Sequence, residues 1–141
     1  MKIRDLGAMD RLARRLARVS GVNPRVVYLQ GPLGTGKTTL VRCWLRHLGF
    51  DGRIRSPTFT ILECYERDGL TVVVHADLFR IRGAEELLNT GLRDYWGNAL
   101  LLIEWPERGE AETPPADWSI RIGFGGRDGE RCLHLLHHVN Y

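Results

Sequence analysis

The sequence predicts an α/β fold. Three observations carry that expectation. A β-branched and aromatic run, Val26-Val27-Tyr28-Leu29-Gln30, leads through a glycine-rich loop into a helix. The most apolar stretch, Ala99 to Glu104, reads as a central strand. Two further pairs of strand-like runs flank short Gly- and Asp-bearing segments, the pattern of antiparallel hairpins.

Taken in order, Leu6 to Val19 reads as a helix, with Leu6, Met9, Leu12, Leu16 and Val19 at helical spacing. Arg11, Arg14, Arg15 and Arg18 occupy its other face, and Gly21 with Asn23-Pro24 ends it. After the strand at 26–30 and the glycine loop, a second helix runs through Thr39 to Leu48 and stops at Gly49. Residues 51–58 read as a loop. Phe59 to Glu66 and Leu70 to His75 read as a hairpin around Arg67-Asp68-Gly69. Asp77 to Gly83 is expected as a loop, Ala84 to Leu88 as a short helix, and Glu110 to Asp117 as a proline-bearing connector. Trp118 to Phe124 and Glu130 to Leu136 form the closing hairpin, turned by Gly125-Gly126-Arg127-Asp128-Gly129.

The chain has 141 residues, 43% apolar and 26% charged, which excludes a disordered tail or a low-complexity tract. A chain of this size can bury enough surface to fold without disulfides or a structural metal. No repeat or linker interrupts it, so one domain over 1–141 is expected. No apolar run is long enough to span a bilayer, and the first residues lack an apolar export signal. Cys43, Cys64 and Cys132 form an odd, scattered set that suits a reducing compartment, so a cytoplasmic location is expected. The net charge of +3 permits contact with phosphate or nucleic acid without arguing for it. Of the twenty basic residues only Lys2 and Lys37 are lysines. Chemistry that demands a lysine therefore has Lys37 as almost its only candidate.

Gly31-Pro32-Leu33-Gly34-Thr35-Gly36-Lys37-Thr38 matches GxxxxGK[ST] at every fixed position, between a strand and a helix. Glycines there let backbone N–H groups turn toward phosphate oxygens, and the helix N-terminus adds unpaired donors. Gly34, Thr35 and Gly36 supply the loop. Lys37 is expected to bridge β- and γ-phosphates, Thr38 to ligate Mg²⁺, and Thr39 to meet the α-phosphate. Glu104, closing Leu100-Leu101-Leu102-Ile103, stands where such sites place the second metal group. It is a Glu where Asp is more usual, and the alternative is a solvent-exposed strand end. Asp77, in His75-Ala76-Asp77-Leu78-Phe79-Arg80, either positions water and supports the magnesium shell or caps its own turn. Arg80 could reach a phosphate or make an ordinary salt bridge. His75 reads as a strand residue with a satisfied ring. Ser56-Pro57-Thr58 resembles a loop that senses the γ-phosphate, a weak signal alone. His134 and His138 share a strand face without cysteine or acidic partners, which favours a surface strand over a metal site.

The order GPLGTGKTTL, SPTFTILECYE, HADLFRI, EELLNTGLRDYW, LLLIEWPERG resembles the TsaE (YjeE) family, P-loop ATPases of bacterial tRNA N6-threonylcarbamoyladenosine biosynthesis. The resemblance runs from about Val26 to Gly109. It implies a compact P-loop domain with a mixed central sheet flanked by helices. It implies ATP and Mg²⁺ as cofactors, with Gly34 to Thr39 on the phosphates and Thr38 and Glu104 on the metal. Asp77 falls in the family's H-x-D-x-[YF]-R motif, in the catalytic site with Lys37 and Glu104. Thr58 lies in a switch-like loop. Trp105-Pro106-Glu107 lies beside the nucleotide, with Glu107 in contact, and the N-terminal segment near Leu6 approaches the adenine. The implied partners are TsaB and TsaD, with tRNA reached through that complex; the ATPase would be weak alone and dependent on assembly. Pro32 and Thr35 depart from the family's frequent G-D-L-G-A-G-K, which removes a carboxylate at the loop mouth.

A regulatory GTPase is excluded, because N-K-x-D cannot occur with lysines only at 2 and 37. A small-molecule kinase, using Arg80, Arg82 or Arg93 in a lid, remains as an alternative. So does a nucleotide-gated interaction module.

Overall fold

The computed structural model describes residues 1–50 and 61–139. Its elements are β1 (Lys2–Ile3), α1 (Leu6–Ser20), β2 (Arg25–Gln30), α2 (Lys37–His47), β3 (Leu62–Arg67), β4 (Leu70–Asp77), α3 (Ala84–Asn89), β5 (Leu100–Glu104), β6 (Trp118–Phe124) and β7 (Arg131–His137). Short 3₁₀ turns span Leu92–Tyr95 and Pro106–Glu112. The expected α/β class is borne out. All seven strands join one mixed sheet in the order β1-β7-β6-β2-β5-β4-β3. β5 runs parallel to both β2 and β4, and β2 runs parallel to β6. The two hairpins, β3–β4 and β6–β7, are antiparallel as their turns required. Asp68 (φ 55) and Gly69 (φ 78) both take the left-handed conformation that a tight two-residue turn demands.

β5 is apolar throughout because parallel neighbours and helices cover both of its faces. Its alternate residues serve two cores. Leu100 and Leu102 join Val27, Leu29, Val73, Ile120 and Ile122 beneath α1 and α2. Leu101 and Ile103 join Val26, Val74, Ala76, Leu78 and Leu87 on the α3 side. α1 buries Met9, Leu12, Ala13, Leu16 and Ala17. Leu6 and Val19, expected on that stripe, are 74% and 65% exposed. They lie in the terminal turns, and the inner contact is completed by Ala13, Ala17 and Ser20 instead. Asp5 caps the helix by accepting from the Ala8 N–H at 2.7 Å. Ser20 Oγ accepts from the buried Trp44 indole N–H at 3.0 Å, tying α1 to α2. The sequence showed no sign of β1, a two-residue strand that pairs with β7.

One glycine of the loop after β2 is fixed by close approach. Gly31 has φ +147, and a Cβ there would meet the Ile122 carbonyl oxygen at 2.0 Å. Gly31→Ala should therefore force the loop away from β6. Overpacking of this kind costs about 1–3 kcal/mol, and thermal melting should fall by several degrees. An unchanged melting temperature would contradict this close approach.

Candidate nucleotide site

β2 ends at Gln30, and the loop Gly31 to Gly36 carries the chain into α2 at Lys37. Gly34 (φ 82) and Gly36 (φ 101) both adopt the left-handed region. Thr35 is buried, and its hydroxyl donates to the Pro32 carbonyl at 2.9 Å, bracing the loop from inside. From β7, Arg131 donates to the Thr35 carbonyl at 3.2 Å and to the Gly34 carbonyl at 3.3 Å. No sequence signal marked Arg131. The β6–β7 register brings it to the loop.

Beside the loop lies a cavity of about 290 Å³ lined by residues 33–39, Asp77, Phe79, Glu104 and Trp105. The structure thus brings together Gly34, Thr35, Gly36, Lys37, Thr38, Thr39, Asp77 and Glu104, residues scattered over some seventy positions of sequence. The sheet accounts for this, since Asp77 and Glu104 are register partners at the ends of β4 and β5. Leu6 lines a neighbouring cavity of about 300 Å³ with Ile3, Met9, Gly34, Gly36, Thr39 and Arg131. Glu107 is exposed and does not line the main cavity. Its charge reaches the site only as the weakest of three carboxylates acting on Lys37. Thr58, with Ser56 and Pro57, lies outside the described residues. Arg80 and Arg82 are exposed, and Arg93 pairs with Glu112; none of the three lines the cavity.

Glu104 is only 2% exposed, which excludes the solvent-facing alternative. The Thr38 hydroxyl donates to its carboxylate, 2.9 Å from Oε1 and 3.0 Å from Oε2. His75 Nε2 lies 2.6 Å from Glu104 Oε2. Burial opposes a charge on His75, but hydrogen bonds and the negative charge from Glu104 and Glu63 outweigh it and raise the ring to about 9. The sequence predicts a satisfied ring, but only Nε2 is bonded; Nδ1 is buried with no hydrogen-bond partner among the described residues, and the bonded side ties His75 to the site.

Lys37 is buried and donates to the carbonyls of Gly31 and Pro32, the latter at 3.1 Å. Its ammonium stands 4.1 Å from the centre of the Trp105 ring. Burial pushes Lys37 below the ordinary lysine value, while Glu104, Asp77 and Glu107 pull it back. Trp105 holds a left-handed backbone (φ 56) and packs against Phe79 with ring centres 5.1 Å apart and planes tilted by 52°. A non-glycine residue there is uncommon and strained. Burial raises the Asp77 carboxyl, and Glu104 adds to it, against the Phe79 N–H, His75 and Lys37. Asp77 Oδ1 accepts from that Phe79 N–H at 3.1 Å. Its turn-capping role and its place on the cavity wall therefore coexist.

The donors suit a hard cation that keeps most of its shell from phosphates and water. One buried carboxylate and one hydroxyl, already in contact, match the sparse protein share of Mg²⁺ coordination. Elsewhere, His138 bonds Ser119 Oγ at 2.7 Å and His134 is exposed. No cluster of metal-ligating side chains occurs among the described residues. Cys43, Cys64 and Cys132 are free thiols. No described helix is long and apolar enough to cross a membrane.

A crystal structure of Bacillus subtilis YdiB superposes with a TM-score of 0.75 and 27% identity, covering 94% of this chain and 80% of that one. The tRNA threonylcarbamoyladenosine biosynthesis protein TsaE of Haemophilus influenzae is 40% identical over 116 residues, 82% of this chain and 72% of the relative. The Synechocystis protein of the same name is 40% identical over 74% of this chain and 68% of its own length. The family described as "Threonylcarbamoyl adenosine biosynthesis protein TsaE" matches residues 3–132. With that match spanning nearly the whole chain, and with a compact P-loop α/β fold beneath it, this protein belongs to the TsaE family of tRNA threonylcarbamoyladenosine biosynthesis.

Proposed function

We propose that this chain is a Mg²⁺-dependent ATPase of one domain that acts with the TsaB–TsaD complex in tRNA N6-threonylcarbamoyladenosine formation. In this reading it is not the transferase, it meets tRNA through the complex, and it works in the cytoplasm. Hydrolysis is weak alone and rises on assembly. One observation carries the reading. The glycine loop delivers Lys37 and Thr38 to a cavity wall closed by Glu104 and Asp77.

The chain's own groups divide the work. Backbone donors of Gly34 to Thr39 and the start of α2 receive phosphate oxygens. Lys37 meets the β- and γ-phosphates as a point charge by leaving the carbonyls of Gly31 and Pro32. Thr38 and Glu104 would hold Mg²⁺, which would supply neutralisation of the charge on the phosphates. Asp77, with its raised carboxyl, orients the attacking water and accepts its proton. Trp105 and Phe79 wall the mouth against solvent. Arg80, Arg82 and Arg93 stand outside the cavity lining, which supports hydrolysis over transfer to a small-molecule acceptor.

The deciding experiment mixes the purified chain with TsaB–TsaD and follows ATP consumption and modified tRNA together. Both should require this chain. ATP consumption that never exceeds that of the separate proteins, with tRNA still modified, would instead favour a nucleotide-gated interaction module.

ATP should also be preferred over GTP. Guanine selection by N-K-x-D is impossible here, and Ile3, Leu6 and Met9 offer an apolar floor for a purine beside the loop. Competition titration with the two nucleotides checks this, and equal affinities would refute it.

A further inference from the structure

Thr38 is not the only group that holds Glu104. Beside it on the neighbouring strand stands His75, 2% exposed and absent from the cavity wall. Its Nε2 makes the 2.6 Å contact to Glu104 Oε2. Its Nδ1 faces Glu63 Oε2 at 3.9 Å, an ion-pair distance too long for a hydrogen bond. Glu63 is the register partner of His75 across the β3–β4 ladder. The Tyr65 hydroxyl donates to Glu63 Oε2 at 2.8 Å and anchors it. A row of polar side chains therefore runs from α2 to the edge strand: Thr38, Glu104, His75, Glu63, Tyr65.

We propose that His75 is the positioning residue for Glu104, and that Glu63 in turn orients the His75 ring. The inference rests on the reading of Glu104 as a metal ligand. A glutamate has one more rotatable bond than the aspartate more usual at such a strand end, so its carboxylate has more conformations to lose. The bond from His75 ties down Oε2. Oε1 then has the Thr38 hydroxyl as its hydrogen-bond partner among the described residues. The two candidate metal ligands are thereby held together before any metal arrives. Partners behind a ligating group commonly set its orientation in this way. A histidine buried merely to fill the β4 layer would have no need of a carboxylate on each side.

The geometry assigns the effect to one nitrogen, which makes it testable. His75→Gln places an amide nitrogen near the position of Nε2, whereas His75→Asn places one near Nδ1 and falls short of Glu104. A non-hydrolysable ATP analogue is titrated into the parent, both variants and Glu104→Ala, in EDTA and in Mg²⁺, with melting temperatures alongside. His75→Asn should keep its affinity in EDTA within about twofold and lose about tenfold of the gain that Mg²⁺ confers, while His75→Gln keeps most of that gain. An undiminished Mg²⁺ gain in His75→Asn overturns the proposal. So does an equal loss with and without the metal, which marks a structural role only. Should neither His75 variant fold, Glu63→Gln is read instead: a Mg²⁺-specific loss is expected, and an unchanged gain overturns the proposal. Glu104→Ala separates the two levels. If it retains the full Mg²⁺ gain, the metal reading itself fails. If it loses the gain and His75→Asn does not, only the positioning role fails.

Discussion

Lys37→Ala should abolish ATP hydrolysis and weaken nucleotide binding more than any other single change in this chain. Lys37 is the only lysine besides Lys2, whose ammonium faces Glu130. It sits between the loop carbonyls and the Trp105 ring, with Glu104 and Asp77 acting on its charge. Removing it withdraws a cation from the proposed path of the phosphates. It also removes one of the positive charges that offset Glu104 and Asp77, which repels an anionic ligand further. A buried charged contact is worth about 2–4 kcal/mol, with a tenfold change for each 1.4 kcal/mol. Analogue binding should therefore weaken by roughly 30- to 1,000-fold. Turnover with partners present should fall to background. Activity within about twofold of the parent would remove the phosphate-binding assignment.

Asp77 and Glu104 should fail in different ways, although their backbones are paired across β4 and β5. Glu104 is buried, bonded to Thr38 and proposed to hold the metal. Glu104→Ala should weaken Mg·ATP relative to metal-free ATP. Asp77 is half-buried at the end of β4, with one oxygen spent on the Phe79 N–H. Asp77→Ala should leave Mg·ATP binding within a few-fold, while hydrolysis falls by about 10²–10⁴, the usual worth of proton handling and positioning. The measurement pairs an analogue titration with a turnover assay, both with partners present. Loss of binding in Asp77→Ala and loss of turnover alone in Glu104→Ala would mean that the roles are reversed. Unchanged hydrolysis in both would place the catalytic groups elsewhere.

Much of the fold was legible because its signals are local. The glycine loop announces itself by residue type and by its flanks, and β5 by an apolar run that a two-sided core requires. Both hairpins were marked by their turns. Helix α2 starts at Lys37, two residues before the Thr39 that the sequence predicts, because the loop motif overlaps the first helical turn. The exposed ends of α1 differ from the predicted buried face for a related reason. Periodicity assigns Leu6 and Val19 to a face, but it does not say how far along the helix the neighbouring elements cover that face.

Residue order alone carries the chemistry within reach of one short segment. Lys37 and Thr38 follow directly on the glycines that aim them, so their placement needs only the backbone of a loop and a helix start. Glu104 and Asp77 could be named as strand-end carboxylates, but not placed beside Thr38. Tertiary structure decided that, because strand register sets which residues face one another across a sheet, and register is a property of the assembled core. The same physics explains His75, Glu63 and Arg131. The β3–β4 ladder sets Glu63 opposite His75, the β4–β5 pairing sets His75 beside Glu104, and the closing hairpin carries Arg131 to the loop. A buried charged group is stable only where its partners already stand, and those partners come from strands that meet only when the sheet forms.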